Sequence, residues 1–180
     1  MKKISSMAVY CGSSVGNDHL FFEEAEKIGK FLADNSIKLI YGGGNLGLMG
    51  AVSSAALRNG GAVMGVITSH LINKEKINED LTDIHIVDSM SERKNKMFNA
   101  SDAFLILPGG IGTLEEFFEI LSWKQLKIHS KDILIYNVNN YWDDLNTIIS
   151  KTIDCKFTYS NIKDDYKIIN NISDLTNYIN

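Results

Sequence analysis

The sequence predicts an α/β fold: a doubly wound parallel sheet of about six or seven strands with helices on both faces. Three observations lead there. Short apolar runs alternate with stretches of helical periodicity along the whole chain. Glycine-bearing turns at 12–16, 42–50 and 109–112 each follow one of those runs, so they gather at one edge of the sheet. Finally, 180 residues of which 44% are apolar suit a single domain over 1–180 with one core.

The elements follow in order. Met7–Tyr10 reads as a first buried strand running into Cys11-Gly-Ser-Ser14. Over Leu20–Ala33, Phe21, Ala25, Ile28 and Leu32 recur at helical spacing. Lys38–Tyr41 is a second strand stopped by three glycines, and Leu46–Arg58 a helix ended by Asn59-Gly60-Gly61. Ala62–Thr68 and Ile84–Val87 are the third and fourth strands, and Ser91–Ala100 is helical. Ala103–Leu107 is a fifth strand, followed by Pro108-Gly-Gly-Ile-Gly112 and a helix over Leu114–Leu126. Ile133–Asn137 is a sixth strand and Trp142–Thr152 a further helix. The polar tail adds a short strand at Tyr166–Ile169 and a helix from Leu175.

Open parallel sheets bind ligands beyond the carboxyl ends of their strands, where the three glycine loops lie. Gly42-Gly-Gly-Asn-Leu-Gly47 satisfies G-x-G-x-x-G, but it follows the second strand, and Ala62–Ser69 lacks the acid that a dinucleotide ribose needs. No P-loop pattern is present. The third loop is sharper. Pro108, the only proline, precedes glycines that open a helix, whose amino terminus favours a phosphate. Thr113 is placed to cap that helix. Thr113-Leu-Glu-Glu116 then has two readings: a capping box closed by Glu116, or a general base beside a phosphate pocket.

Ser91-Glu-Arg-Lys94 follows the fourth strand at the same edge. Met90, Arg93, Met97 and Ala100 share one helical face, so Arg93 is directed inward, either with its stem packed and its head in water or aimed at the cleft. By the same pattern Lys94 and Lys96 are solvated.

Together these segments resemble the LOG ("lonely guy") family of cytokinin-activating phosphoribohydrolases, many bacterial members of which carry an older lysine decarboxylase label. The resemblance rests on Cys11-Gly-Ser-Ser14, Tyr41-Gly-Gly-Gly44, Gly47-Leu-Met-Gly50, Glu92-Arg-Lys94 and Ser101-Asp-Ala-Phe104. It is most specific in Pro108-Gly-Gly-Ile-Gly-Thr-Leu-Glu-Glu116, which matches P-G-G-x-G-T-x-x-E, and it runs over roughly residues 5–145. It implies a Rossmann-like three-layer sandwich and a homodimer. It also implies hydrolysis of purine-type ribonucleoside 5′-monophosphates, such as a cytokinin nucleotide or AMP, to free base and ribose 5-phosphate, without metal or other cofactor. Arg93 and Glu116 become the catalytic pair. Gly109, Gly110, Gly112 and Thr113 would hold the phosphate. The Gly42–Gly47 turn would line the site, with Gly43, Gly44 and Gly47 binding substrate and Ser13, Met90 and Lys94 as further substrate contacts. The chain departs from the family at Ser91, Asn99 and Asp132, where histidine, arginine and proline are common; these positions bear on base recognition or subunit contacts.

Other classes are excluded or set aside. A formal charge of −4 argues against a nucleic-acid polymer as partner. The four histidines show no metal-ligand spacing. Two distant cysteines fit a reducing cytoplasm, the amino terminus reads as a strand rather than a signal peptide, and no run approaches the ~18 apolar residues of a membrane span. A nucleotide-sensing or carrier module that binds without turnover is the alternative function.

Overall fold

The computed structural model describes residues 3–81 and 83–179. The strands are β1 (Ser6–Tyr10), β2 (Lys38–Tyr41), β3 (Val63–Thr68), β4 (Asp83–Val87), β5 (Ala103–Ile106), β6 (Asp132–Tyr136) and β7 (Lys167–Ile169). They form one sheet in the order β4-β3-β2-β1-β5-β6-β7. Every neighbouring pair is parallel. The chain winds outward from β1 to β4, returns to the other side of β1 as β5, and winds outward again. The order therefore reverses between β1 and β5, where Ala8 pairs with Ile40 on one side and Phe104 on the other. A reversal of this kind opens a crevice at the strand ends.

Among the described residues, seven α-helices connect and flank these strands: α1 (His19–Asp34), α2 (Gly47–Arg58), α3 (Ile72–Glu75), α4 (Met90–Ala100), α5 (Ile111–Gln125), α6 (Asp143–Asp154) and α7 (Ile172–Ile179). Successive strand residues point to opposite faces. Met7, Val9, Leu39, Tyr41, Leu105 and Leu134 pack under α1, α2 and α7. Ala8, Tyr10, Ile40, Phe104, Ile106 and Ile135 pack under α4, α5 and α6. The result is the three-layer α/β sandwich that the alternation predicts. α1 buries Phe21, Ala25, Ile28 and Leu32, the stripe read from spacing, and Asp18 caps it by accepting the Leu20 N–H at 2.9 Å.

One local expectation is corrected, and one connection holds elements that the sequence pattern did not assign. The helix after the third glycine loop begins at Ile111, a turn before the expected Leu114, because Gly112 and Thr113 continue the helical backbone. The connection from β3 to β4 holds a 3₁₀ turn over Ser69–Leu71 and the one-turn α3, in a polar stretch without apolar periodicity.

Candidate active site

The three glycine loops are joined through Gly12. Its N–H donates to Pro108 O at 3.0 Å, and its carbonyl accepts from Leu48 N at 3.0 Å. Met49 N also approaches Gly12 O, at 3.4 Å, so the first amides of α2 are spent on the β1 loop. At Gly47, with φ +58°, a Cβ would lie 2.3 Å from Ser13 C and Ser14 N; only glycine permits this crossing. Gly43 packs on Ile67, while Gly44 bridges to Ile77 and packs against Glu75. The expectation that Gly43, Gly44 and Gly47 line the cleft is therefore corrected: they support the loops that form it. The glycine of this turn that does line the cleft is Gly42.

At the start of α5 the opposite holds. Gly110 is the N-cap, without a side-chain cap, and Leu114 N donates to Gly110 O at 3.1 Å as the first intrahelical bond. The amides of Ile111, Gly112 and Thr113 thus have no acceptor within the helix and lie at its positive end. Gly110, Gly112 and Thr113 line the cleft, and Gly109 lines the cavity next to it. Thr113 is the third helical residue and not the cap, so the capping-box reading of Glu116 fails. A cap of that kind exists instead at α4: Ser89 Oγ accepts the Glu92 N–H at 3.1 Å, and Glu92 Oε2 accepts the Asp88 N–H at 3.2 Å.

That cap sets α4 so that Arg93 points into the fold. The guanidinium is buried. Nε donates to Val66 O at 3.0 Å and Nη2 to Gly42 O at 3.3 Å, tying it to the carboxyl ends of β3 and β2. A Cβ at Gly42 would sit 2.2 Å from Nη2, so the absent side chain makes the seat. Nη2 also lies 3.9 Å from Glu75 Oε2, and Nη1 is 3.9 Å from Met90 Sδ. Among the described residues no hydrogen-bond donor meets Glu75 Oε2, although that atom is buried.

Glu116, in the second turn of α5, shares the cleft with Arg93. Burial pushes its carboxyl up from 4.5 to about 7; Arg93 opposes this, while Glu115 and Glu75 reinforce it. The carboxyl thus stands near half-ionisation at neutral pH, a useful poise for proton transfer. Ser13 and Met90 line the cleft, and Met97 and Tyr10 add apolar walls. Lys94 does not line it. Its Nζ bonds Glu115 and, at 2.9 Å, Glu119, so neither the solvated nor the substrate-contact expectation describes it; it clamps α4 to α5.

The cleft has a volume of about 320 Å³. It adjoins a cavity of about 440 Å³ that shares Gly12, Ser13 and Gly110 with it and is walled by Phe21, Leu48 and Tyr141. Glu75 was not legible in sequence. It lies in Asn73-Lys-Glu-Lys-Ile-Asn-Glu-Asp80, where nothing local separates it from Glu79.

Residues 49–179 match the family described as "Possible lysine decarboxylase". A "Probable cytokinin riboside 5′-monophosphate phosphoribohydrolase" of rice, Oryza sativa subsp. japonica, is 44% identical over 147 residues, covering 82% of this chain and 65% of its own length. A second rice protein of that description is 44% identical over 82% of this chain and 60% of its own. A cytokinin riboside 5′-monophosphate phosphoribohydrolase of Arabidopsis thaliana is 41% identical over 84% of this chain and 71% of its own. The chain thus spans under two thirds of the length of the two rice relatives. Among solved structures, a molybdenum cofactor binding protein from Rippkaea orientalis superposes with a TM-score of 0.72, covering 99% of this chain and 97% of that one. At 17% identity this shows a shared fold alone.

Proposed function

The chain belongs to the lysine-decarboxylase-like family that includes the LOG phosphoribohydrolases, and from that premise we propose that it hydrolyses the N-glycosidic bond of purine-type ribonucleoside 5′-monophosphates, releasing the base and ribose 5-phosphate. One observation carries the reading: Arg93 and Glu116 meet in a cleft that also receives the unpaired amides of the α5 amino terminus. The phosphate binds those amides and so anchors the ribose. Loss of the base builds positive charge at C1′, which the Glu116 carboxylate stabilises while orienting and deprotonating the attacking water. The buried carboxylate has few competing partners, so its charge is best compensated in the transition state. Arg93 is too basic to donate a proton; its guanidinium stabilises the negative charge on the departing base by hydrogen bonding, the base takes its proton from solvent water on release, and Glu116 returns the proton it took to solvent. Glu75 lines the same cleft and pairs with the guanidinium at 3.9 Å.

The family's decarboxylase description does not fit the residues. Pyridoxal phosphate chemistry needs a lysine in the cleft, and among the described residues lining it none is a lysine. The carrier alternative shares the fold, and turnover separates the two. Incubation with AMP and with N6-isopentenyl-AMP should release free base and ribose 5-phosphate from both, with adenosine turning over far more slowly than AMP. Tight AMP binding without base release would establish the carrier reading; equal rates with adenosine would remove the phosphate seat from the mechanism. The reading includes a homodimer in the cytoplasm. Among the described residues no helix is long and apolar enough to cross a membrane.

A further inference from the structure

We propose that Tyr141 is a positioning residue that locks the Gly109–Gly110 peptide, so that the loop presents an amide hydrogen and not a carbonyl oxygen to a phosphate at the first turn of α5. The inference rests on the phosphate seat proposed above and adds a residue from the β6–α6 connection to it. Two carbonyls of the loop are held from outside. Pro108 O accepts from Gly12 N at 3.0 Å, and Gly109 O accepts from the Tyr141 hydroxyl at 2.6 Å. The carbonyl and the amide hydrogen of a planar trans peptide point in opposite directions. Tyr141 lines the adjoining cavity and not the cleft. A Gly109 carbonyl drawn toward Tyr141 therefore turns the Gly110 amide toward the cleft.

Glycine on both sides removes the side-chain limits on the rotation of this peptide, and the Tyr141 hydroxyl is the hydrogen-bond donor recorded for its carbonyl. A flipped peptide would set a carbonyl dipole against the anion and remove one donor.

The hydroxyl is delivered by a built segment. Asn139 and Asn140 both take left-handed backbone, at φ +48° and +60°, a region that asparagine enters more readily than other residues bearing a side chain. Asn139 Nδ2 donates to Asp18 Oδ2 at 3.0 Å, and Asn137 Oδ1 accepts the Trp142 N–H at 2.7 Å. The Tyr141 ring meets Phe21 and Trp142 edge-on, with centroids 5.4 and 4.7 Å away.

Tyr141→Phe keeps the ring and removes the bond. Titration with ribose 5-phosphate, which needs no turnover, reads the seat directly. Tyr166→Phe is the control; it removes a comparable hydroxyl bond, to Asn146 Oδ1 at 2.9 Å, away from the loop. We expect Tyr141→Phe to bind ribose 5-phosphate roughly tenfold more weakly than wild type, with an unchanged melting temperature, and Tyr166→Phe to bind as wild type does. Equal affinity of wild type and Tyr141→Phe overturns the lock while leaving the seat intact. A wild-type protein that does not bind ribose 5-phosphate overturns both.

Discussion

Glu116 is a carboxylate kept where burial disfavours its charge, and this has consequences for stability as well as activity. Its folded value near 7 lies above the ordinary 4.5. Between those values the folded state holds a proton that the unfolded state has lost, so stability falls as pH rises through the window, and the full cost is present above it. The gap corresponds to roughly 3 kcal/mol. Glu116→Gln removes that cost together with the reaction: activity should drop about a hundredfold or more. The variant's melting temperature should exceed that of wild type at about pH 8, with the difference closing toward pH 4.5. A variant that loses activity by unfolding would contradict the catalytic role. Glu75 raises the Glu116 value through its negative charge. Glu75→Gln should therefore move the ascending limb of kcat against pH to lower pH. Measuring both proteins with AMP cancels the substrate's own phosphate ionisation.

At the scale of elements, the site depends on how helices begin. α4 starts at Ser89, whose cap fixes the rotation that buries Arg93. Ser89→Ala should cost about 1 kcal/mol, read as a lower denaturation midpoint. α5 starts at glycines, without a cap, and its amides stay open. Two of the glycines of the second loop, Gly42 and Gly47, separate structure from function. Gly47→Ala would place a methyl against Ser13 backbone in a left-handed position and should destabilise the protein strongly. Gly42→Ala meets the movable end of Arg93, so it should leave a folded protein with impaired turnover. Circular dichroism melts alongside the base-release assay distinguish the two; a folded, fully active Gly42→Ala would show that the Arg93 seat tolerates displacement.

For the molecule as a whole, the switch between β1 and β5 decides where the chemistry lies. The β1 and β5 loops meet there, and α4 and α5 bring their cation and carboxylate to the same crevice. α5 also carries apolar surface outward: Phe118 is 40% exposed, and Leu126 and Ile128 beyond it more so. The homodimer proposed above would cover that stripe with a second copy. Light scattering at micromolar concentration should report a dimer, and Phe118→Glu should shift it toward monomer.

The sequence by itself determined the strand–helix order, the α1 stripe of Phe21, Ala25, Ile28 and Leu32, the inward direction of Arg93 and the motif around Glu116. All of these are local: periodicity and turn chemistry act over a few residues. The tertiary structure alone removed the capping-box reading of Glu116, because the true start of α5 depends on how the β5 loop docks on Gly12. It also decided that Lys94 clamps a helix, that Gly42 and not Gly47 faces the cleft, that Glu75 lines it, and that Tyr141 bonds the loop beside it. Those assignments depend on contacts between segments distant in sequence, formed when the sheet closes around its switch point, and no local pattern encodes them.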